Sequence, residues 1–267
     1  MISLDDSDSA VLSPDEMREG TKLFVATPCY GGNLAYEYVN SLLELLYVCL
    51  TNGVNSEIHL AANESLIPRG RNHMVSAFMA SDCTHMIFID ADIQFKAMDV
   101  MKMLAKNKNI IVGAYPLKAM PPEYVVNLKT ENSKFDTGLE TIEVKDAGTG
   151  FMMMNRGVFE TMKENYPELH YTSDLERGYL LGEAIKDENL MEKLKDNLYS
   201  FFDTMHDDED NNAYLSEDYA FCRRWQKAGG KIWLDTTVNL NHIGRHAYRG
   251  DVSGLQSMIS SQIGKQE

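Results

Sequence analysis

The chain has 267 residues, with 25 Lys and Arg against 40 Asp and Glu and a formal net charge of −15. Hydrophobic residues make up 44% and charged residues 24%, an ordinary globular composition with enough chain to bury a real core. The acidic balance argues against a nucleic-acid or anionic-membrane surface, since both need a positive field, and leaves an anionic ligand dependent on a metal ion or a few Arg. Residues 1–20, acidic and Ser-rich, read as a mobile tail. Lys22–Thr27 is a strand ending at Pro28 and Gly31-Gly32, and Leu34–Leu50 carries apolar residues at helical spacing. Glu57–Ala61 is a second strand, about 71–81 a second helix, and His85–Asp90 the clearest buried strand. A helix over about 96–106 and a strand at Ile110–Ala114 complete the first half. Strands and helices alternating in units of this size indicate a parallel sheet covered by helices.

The second half starts with strands at Tyr124–Leu128 and Thr141–Val144, joined by the polar stretch Lys129–Gly138. Gly148-Thr149-Gly150 then precedes an apolar strand, Phe151–Asn155. Residues 165–200 are polar and weakly helical, and Asp207–Asp210 reads as a solvated loop. A helix follows Ser216 and stops at Gly229-Gly230, a strand covers Trp233–Leu240, and 251–267 is a C-terminal tail. One mixed α/β domain over 21–250 fits the pattern, with halves at 21–115 and 116–250. No apolar stretch reaches the roughly 18 residues of a membrane span. The N-terminus lacks the basic flank and apolar centre of a secretory signal. Cys29, Cys49, Cys83 and Cys222 form no C-x-x-C pair, which disfavours a zinc site or a disulfide framework. A cytoplasmic protein is the expectation.

The strongest chemical signal is Phe88-Ile-Asp90-Ala91-Asp92. A buried strand ends there and presents two carboxylates, where open α/β sheets place their ligands. Side chains at i and i+2 of an extended segment face one way, so both reach one Mg²⁺ or Mn²⁺. The alternative is a pair of acids capping the next helix. Arg71 is a fixed cation near a helix start, suited to a phosphate or to holding the D-x-D carboxylates, or else a surface Arg. Glu217-Asp218 open the helix after Ser216, where acids also serve the dipole. Near the end, Asn241-His242-Ile-Gly244-Arg245-His246-Ala-Tyr248-Arg249 gathers imidazole, Gly and Arg, with His246 the competitor of His242 as a metal ligand.

Thr27-Pro28-x-Tyr30, Arg71-Asn72, Asp90-Ala91-Asp92, Gly148-Thr149-Gly150, Glu217-Asp218 and a late His242, in this order, resemble GT-A glycosyltransferases, above all small family-2-like and viral or phage-type members. The resemblance covers roughly residues 21–250. It implies a GT-A, Rossmann-like, mixed and mostly parallel sheet in one domain. It also implies transfer of a sugar from a nucleotide-diphospho-sugar, UDP-linked in the reading preferred here, to a glycan or other hydroxyl acceptor, with Mn²⁺ or Mg²⁺. For a viral member the compartment is the host cytosol. Tyr30 corresponds to the base-stacking position, with a turn Tyr packed on the helix as the alternative. Asn63-Glu64 stands where the family has base-contacting acids. Asp90, Asp92 and His242 correspond to the metal ligands. Asp218, with Glu217, takes the acceptor-side position, where inverting members have their general base. Arg245, Tyr248 and Arg249 lie on the segment that closes over the diphosphate, expected as a mobile loop. Gly148 and Gly150 would let donor or acceptor approach the backbone, and Tyr171–Asp203 would select the acceptor. Asp218 points to inversion, whereas the late His-x-x-Gly segment resembles retaining members.

Three rivals are weaker. Haloacid-dehalogenase-type phosphohydrolases place D-x-D after the first strand, with Thr or Val where this chain has Gln94. A sugar-phosphate nucleotidyltransferase would need an N-terminal Gly-rich Arg-Lys loop. A non-catalytic nucleotide-sugar or glycan-binding module would not need Asp90, Asp92, Asp218 and His242 intact.

Overall fold

The structure, a computed structural model, describes residues 3–6, 9–62, 64–119, 123–129, 140–172, 179–180, 183–184, 186–244 and 247–263. In chain order it forms α1 (Pro14–Gly20), β1 (Lys22–Cys29), α2 (Tyr36–Asn52), β2 (Asn55–Ala62), α3 (Ile67–Ala80), β3 (His85–Ile89), β4 (Ile93–Gln94), α4 (Ala97–Ala105) and β5 (Ile110–Gly113). Next come β6 (Val126–Leu128), β7 (Thr141–Ala147), β8 (Phe151–Asn155) and α5 (Arg156–Asn165). A hairpin of β9 (Tyr179–Leu180) and β10 (Glu183–Ala184) precedes α6 (Glu188–Asp196). A second hairpin, β11 (Met205–Asp207) and β12 (Ala213–Leu215), leads into α7 (Glu217–Lys227). β13 (Trp233–Asp235), β14 (Asn241–Ile243), β15 (Ala247–Arg249) and α8 (Val252–Ile263) end the fold.

Eight strands make one sheet in the order β2-β1-β3-β8-β5-β13-β7-β6. β2, β1 and β3 are mutually parallel, as are β5 and β13, while β8 and β7 run against their neighbours. Six of the eight strands therefore point one way, the mixed, mostly parallel α/β sheet that the sequence predicts. Strand residues alternate between two cores. Phe24, Met86, Phe88, Met152 and Met154 face α3, α5, α7 and α8. Leu23, Val25, Ile87, Ile89 and Met153 face α2 and α4. Helices on both faces explain why β3 is buried at all five positions and apolar from Met86 to Ile89. Among the described residues no helix is long and apolar enough to cross a membrane.

Several boundaries differ from the sequence reading, each for a physical reason. β1 runs on through Pro28 to Cys29, because β3 pairs only as far as Ala26 and the missing Pro N–H faces no central neighbour there. α3 starts a turn earlier, at Ile67, with Pro68 in its first turn, where a missing N–H costs nothing. Arg71 and Asn72 thus sit in its second turn. The segment read as a mobile N-terminal tail is built into the fold. Ser13 and Glu16 form a reciprocal capping box on α1. The buried Asp6 carboxylate accepts from Trp233 Nε1 at 2.7 Å and from the Asn109 backbone N–H. The C-terminal tail becomes α8, which buries Leu255 and Ile259 in the core. Asp207, read as part of a solvated loop, is fully buried against Arg223, with Lys227 Nζ at 3.4 Å. Asp208, Glu209 and Asp210 are exposed, as expected.

Candidate active site

The site lies beyond the C-terminal ends of β1 and β3, where the direction of connection changes. The Asp90 N–H donates to the Gly150 carbonyl at 2.9 Å, continuing the β3–β8 ladder by one residue. Asp90 thereby emerges at the sheet edge with its carboxylate on Arg71, whose NH2 donates to Oδ1 at 3.0 Å. Arg71 is 4% exposed and lies over the Phe88 ring. Burial works against its charge, but Asp90, then Asp218, Tyr115 and Glu217, outweigh it and hold the guanidinium ionised. Its Nε and NH1 are buried without a hydrogen-bond partner among the described residues. Donors of this kind are costly to leave unmet.

Asp92 is bracketed by two other groups. Antiparallel pairing of β14 with β4 sets His242 opposite Ile93, and Ile243 N–H donates to the Asp92 carbonyl at 2.8 Å. His242 Nδ1 lies 2.9 Å from the Pro116 carbonyl, an acceptor only, so Nδ1 carries a proton there. Nε2 stands 3.4 Å from Asp92 Oδ1, where it donates to the carboxylate when the ring is protonated and turns a lone pair to it when the ring is neutral. With the ring neutral, this imidazole and carboxylate form a ligand pair of the kind that suits Mn²⁺. On the other oxygen, Asp92 Oδ2 takes the Lys118 ammonium. Burial alone would raise the Asp92 pKa; the hydrogen bonds from His242 and Lys118 overcome it and keep the group below its usual value. Asp90 is turned to Arg71, so the structure draws Asp92 and His242 together and leaves Asp90 on the guanidinium. Among the described residues, the one three-ligand cluster with ligand atoms within 4.8 Å is Glu57, Asp82 and Cys83. There Lys22 already bridges both carboxylates.

The third part is Asp218, in the first turn of α7. Its Oδ2 accepts from Thr149 N–H at 3.3 Å and its Oδ1 from Thr149 Oγ1 at 3.2 Å. Burial pushes the carboxyl up to about 7, with Arg71 pulling it down and Glu217 and Asp90 pushing further up. Ser216 occupies the N-cap of α7, but its side chain makes no capping bond. The two glycines play a different part from the one expected. A Cβ on Gly148 would lie 2.3 Å from the Tyr115 hydroxyl, and one on Gly150 would lie 2.7 Å from Asp90 Oδ2. They admit Tyr115 and Asp90, which fill the room intended for a ligand. Tyr115 OH accepts from Gly150 N–H at 3.2 Å and its ring meets the His242 ring edge-on. Tyr115 and Lys118 escaped the sequence reading; their signal, the loop directly after β5, is one of position and carries no motif.

A cleft of about 580 Å³ opens beside these groups, with Pro28, Tyr30, Glu64, Arg71, Asp90, Ala91, Asp92 and Gly244 in its lining. Tyr30, on the turn Tyr30–Gly32, is 71% exposed, so its ring face is available for stacking and is not packed on a helix. Glu64 is held in a two-point pair by Arg69, at 2.8 Å from both Nε and NH2. Thr27 and Asn72 do not line the cleft. Thr27 is fully buried on the Tyr38 hydroxyl, and Asn72 Oδ1 accepts from Phe202 N–H at 3.0 Å. Tyr248 sits on β15, paired across from His242. The segment expected as a mobile loop is thus largely the β14–β15 hairpin. Arg245, His246, Asn63, residues 130–138 of the polar stretch, and 173–178, 181–182 and 185 of the acceptor stretch lie outside the described residues.

A mostly parallel sheet whose third strand leads into Asp90 and Asp92 is the arrangement the sequence resemblance implies; the late His242 comes on a hairpin where a mobile loop was expected. The fold is mixed α/β, a mostly parallel eight-stranded sheet with helices on both faces. No protein-family model and no curated protein matches the chain. Among solved structures it is similar to A197 from STIV, at 13% identity and TM-score 0.45, over 86% of this chain and 94% of that one. It is similar to GalNAc-T7, solved with UDP, GalNAc and Mn²⁺, at 12% identity and TM-score 0.42, over 87% of this chain and 44% of that one. A 4-diphosphocytidyl-2C-methyl-D-erythritol synthase from Anaerococcus prevotii is similar at 8% identity and TM-score 0.34, over 67% of this chain and 97% of that one. At such distances only the chain's own geometry speaks to its chemistry.

Proposed function

We propose that the chain is a glycosyltransferase that moves a sugar from a nucleotide-diphospho-sugar, UDP-linked, to a hydroxyl of a glycan or other acceptor. The observation that carries the reading is His242 Nε2 aimed at Asp92 from a hairpin about 150 residues away in sequence, beside a cleft that also holds Tyr30 and Arg71. Asp92 and His242, with Asp90, would hold Mn²⁺ or Mg²⁺, which when bound neutralises charge on the diphosphate leaving group. Tyr30 stacks on the base. Arg71, rigid and buried, holds Asp90 in place and lends the cleft its positive charge toward the donor. Asp218 takes the acceptor's proton, a role that suits a carboxyl whose pKa is lifted toward neutrality. Thr149 fixes the orientation of that carboxylate through its N–H and hydroxyl.

The test is a thermal-shift panel of nucleotide sugars with Mn²⁺ or EDTA, followed by turnover of the best donor. A matching donor should raise the melting temperature only with metal, by mass action. Equal UDP affinity in EDTA and in Mn²⁺ would remove the metal role. No shift with any nucleotide sugar would remove the function.

A further inference from the structure

Two cations hold the D-x-D carboxylates, and they differ in kind. Arg71 is locked in: its side chain is 5% exposed and its partner is Asp90. Lys118 reaches Asp92 from the loop after β5, and the two side chains are 39% and 36% exposed. An ion pair this open is weak and exchangeable. The Lys118 ammonium takes Asp92 Oδ2 while His242 addresses Oδ1, so both oxygens of the carboxylate are engaged before any ligand arrives. A divalent ion on Asp92 would meet that ammonium as a like charge a few ångströms away. The same loop supplies the Pro116 carbonyl that fixes His242, so Lys118 is anchored at the edge of this site while its long stem stays adjustable.

We propose that Lys118 is a resident counter-cation of Asp92, which yields the carboxylate to the divalent ion and passes its ammonium to the donor's diphosphate. The geometry separates this from a lysine that replaces the metal outright. The ammonium sits on Oδ2 and His242 faces Oδ1, so Asp92 and His242, the residues that would hold a divalent ion, meet on the oxygen that Lys118 does not take. The hand-over to diphosphate rests on the glycosyltransferase reading; the competition with metal does not.

The experiment uses the full chain and titrates Mn²⁺, by the spin-resonance signal of free ion, into wild type, Lys118→Met, Lys118→Arg and Asp92→Asn, with circular dichroism as a check of folding. UDP is then titrated by calorimetry at saturating Mn²⁺. One fewer positive charge beside a dication should tighten Mn²⁺ in Lys118→Met by roughly five- to tenfold. UDP should bind that variant more weakly by a similar factor, while Lys118→Arg stays near wild type and Asp92→Asn loses Mn²⁺. Mn²⁺ affinity in Lys118→Met equal to or below wild type would overturn the competition. Unchanged UDP affinity would overturn the hand-over. Wild type that binds Mn²⁺ and UDP together, with Lys118→Met indistinguishable from it, sinks this proposal and leaves the glycosyltransferase reading standing. If wild type binds no nucleotide, that reading falls, and the Mn²⁺ titration alone decides for or against Lys118 as resident cation.

Discussion

Replacing Asp218 by Asn should make stability less sensitive to pH, and the structure supplies the size of the effect. The Asp218 carboxyl is raised from 3.8 to about 7, first by burial, with Glu217 and Asp90 adding and Arg71 opposing. Between those values the folded chain keeps a proton that the unfolded chain releases. Stability contributed by this group is therefore full below the unfolded value, falls as pH rises through the window, and is gone above about 7. At about 1.4 kcal/mol per pH unit the whole window has a ceiling of about 4 kcal/mol. The carboxyl is half-buried, so water screens it, and about 2 kcal/mol is the better figure. Asn keeps the shape and cannot ionise. Urea denaturation in EDTA, at about pH 5 and about pH 8, should show wild type losing about 1–2 kcal/mol more than Asp218→Asn between the two. Parallel pH dependence in both proteins would mean that this carboxyl ionises at its ordinary value. On the proposed mechanism the ionised form is the base, so transfer by wild type should rise with pH through about 7. Asp218→Asn should lower transfer by roughly 10²-fold while sparing donor affinity.

Gly150→Ala should destabilise the chain by about 1–3 kcal/mol, because its Cβ would press on Asp90 Oδ2 and on the Tyr115 ring and hydroxyl; chemical denaturation reads this, and a neutral result would refute the close approach. Tyr115→Phe should cost about 1–3 kcal/mol by leaving the buried Gly150 N–H without its acceptor, measured the same way. Asp6→Ala should cost about 2–4 kcal/mol and shift Trp233 fluorescence, since it strips the acceptor from Trp233 Nε1 and from Asn109 N–H; unchanged stability would return the first residues to the status of a tail.

The parts legible in the sequence are those written in local pattern. β3 reads as an apolar run from Met86 to Ile89, Asp90 and Asp92 follow it directly, and α2 shows its inward face in Tyr38, Leu42, Leu45 and Cys49. The docking of Asp6 is illegible because its partners lie 103 and 227 residues further on, and no window of sequence brings them together. Lys118 on Asp92 is hidden in the same way, as a loop contact across 26 residues. α5 and α8 are another matter. Val158, Phe159 and Met162 carry helical spacing in a segment to which the sequence reading assigns no element, and Leu255, Met258 and Ile259 carry it where a reading as tail passes it over. Gly148-Thr149-Gly150 stands between these cases. The motif marks a place where backbone must be approached closely, and only the fold identifies the approaching group as Tyr115 rather than a ligand.

Charge accounting in the site links the metal to the donor. Asp90, Asp92, Glu217 and Asp218 bring four carboxylates to one end of the sheet, against the locked-in Arg71 and the exchangeable Lys118. With all four ionised the site is negative, inside a chain that is itself at −15. Asp218 answers by holding a proton up to about pH 7, which is what its raised pKa reports. A diphosphate would add charge of the same sign, so on the proposed reading a dication has to enter with it. A dication held there would supply positive charge to the leaving group and would make the proton on Asp218 easier to lose. Metal, donor and base would then act in one order set by electrostatics: cation and diphosphate first, deprotonated Asp218 next, acceptor hydroxyl last.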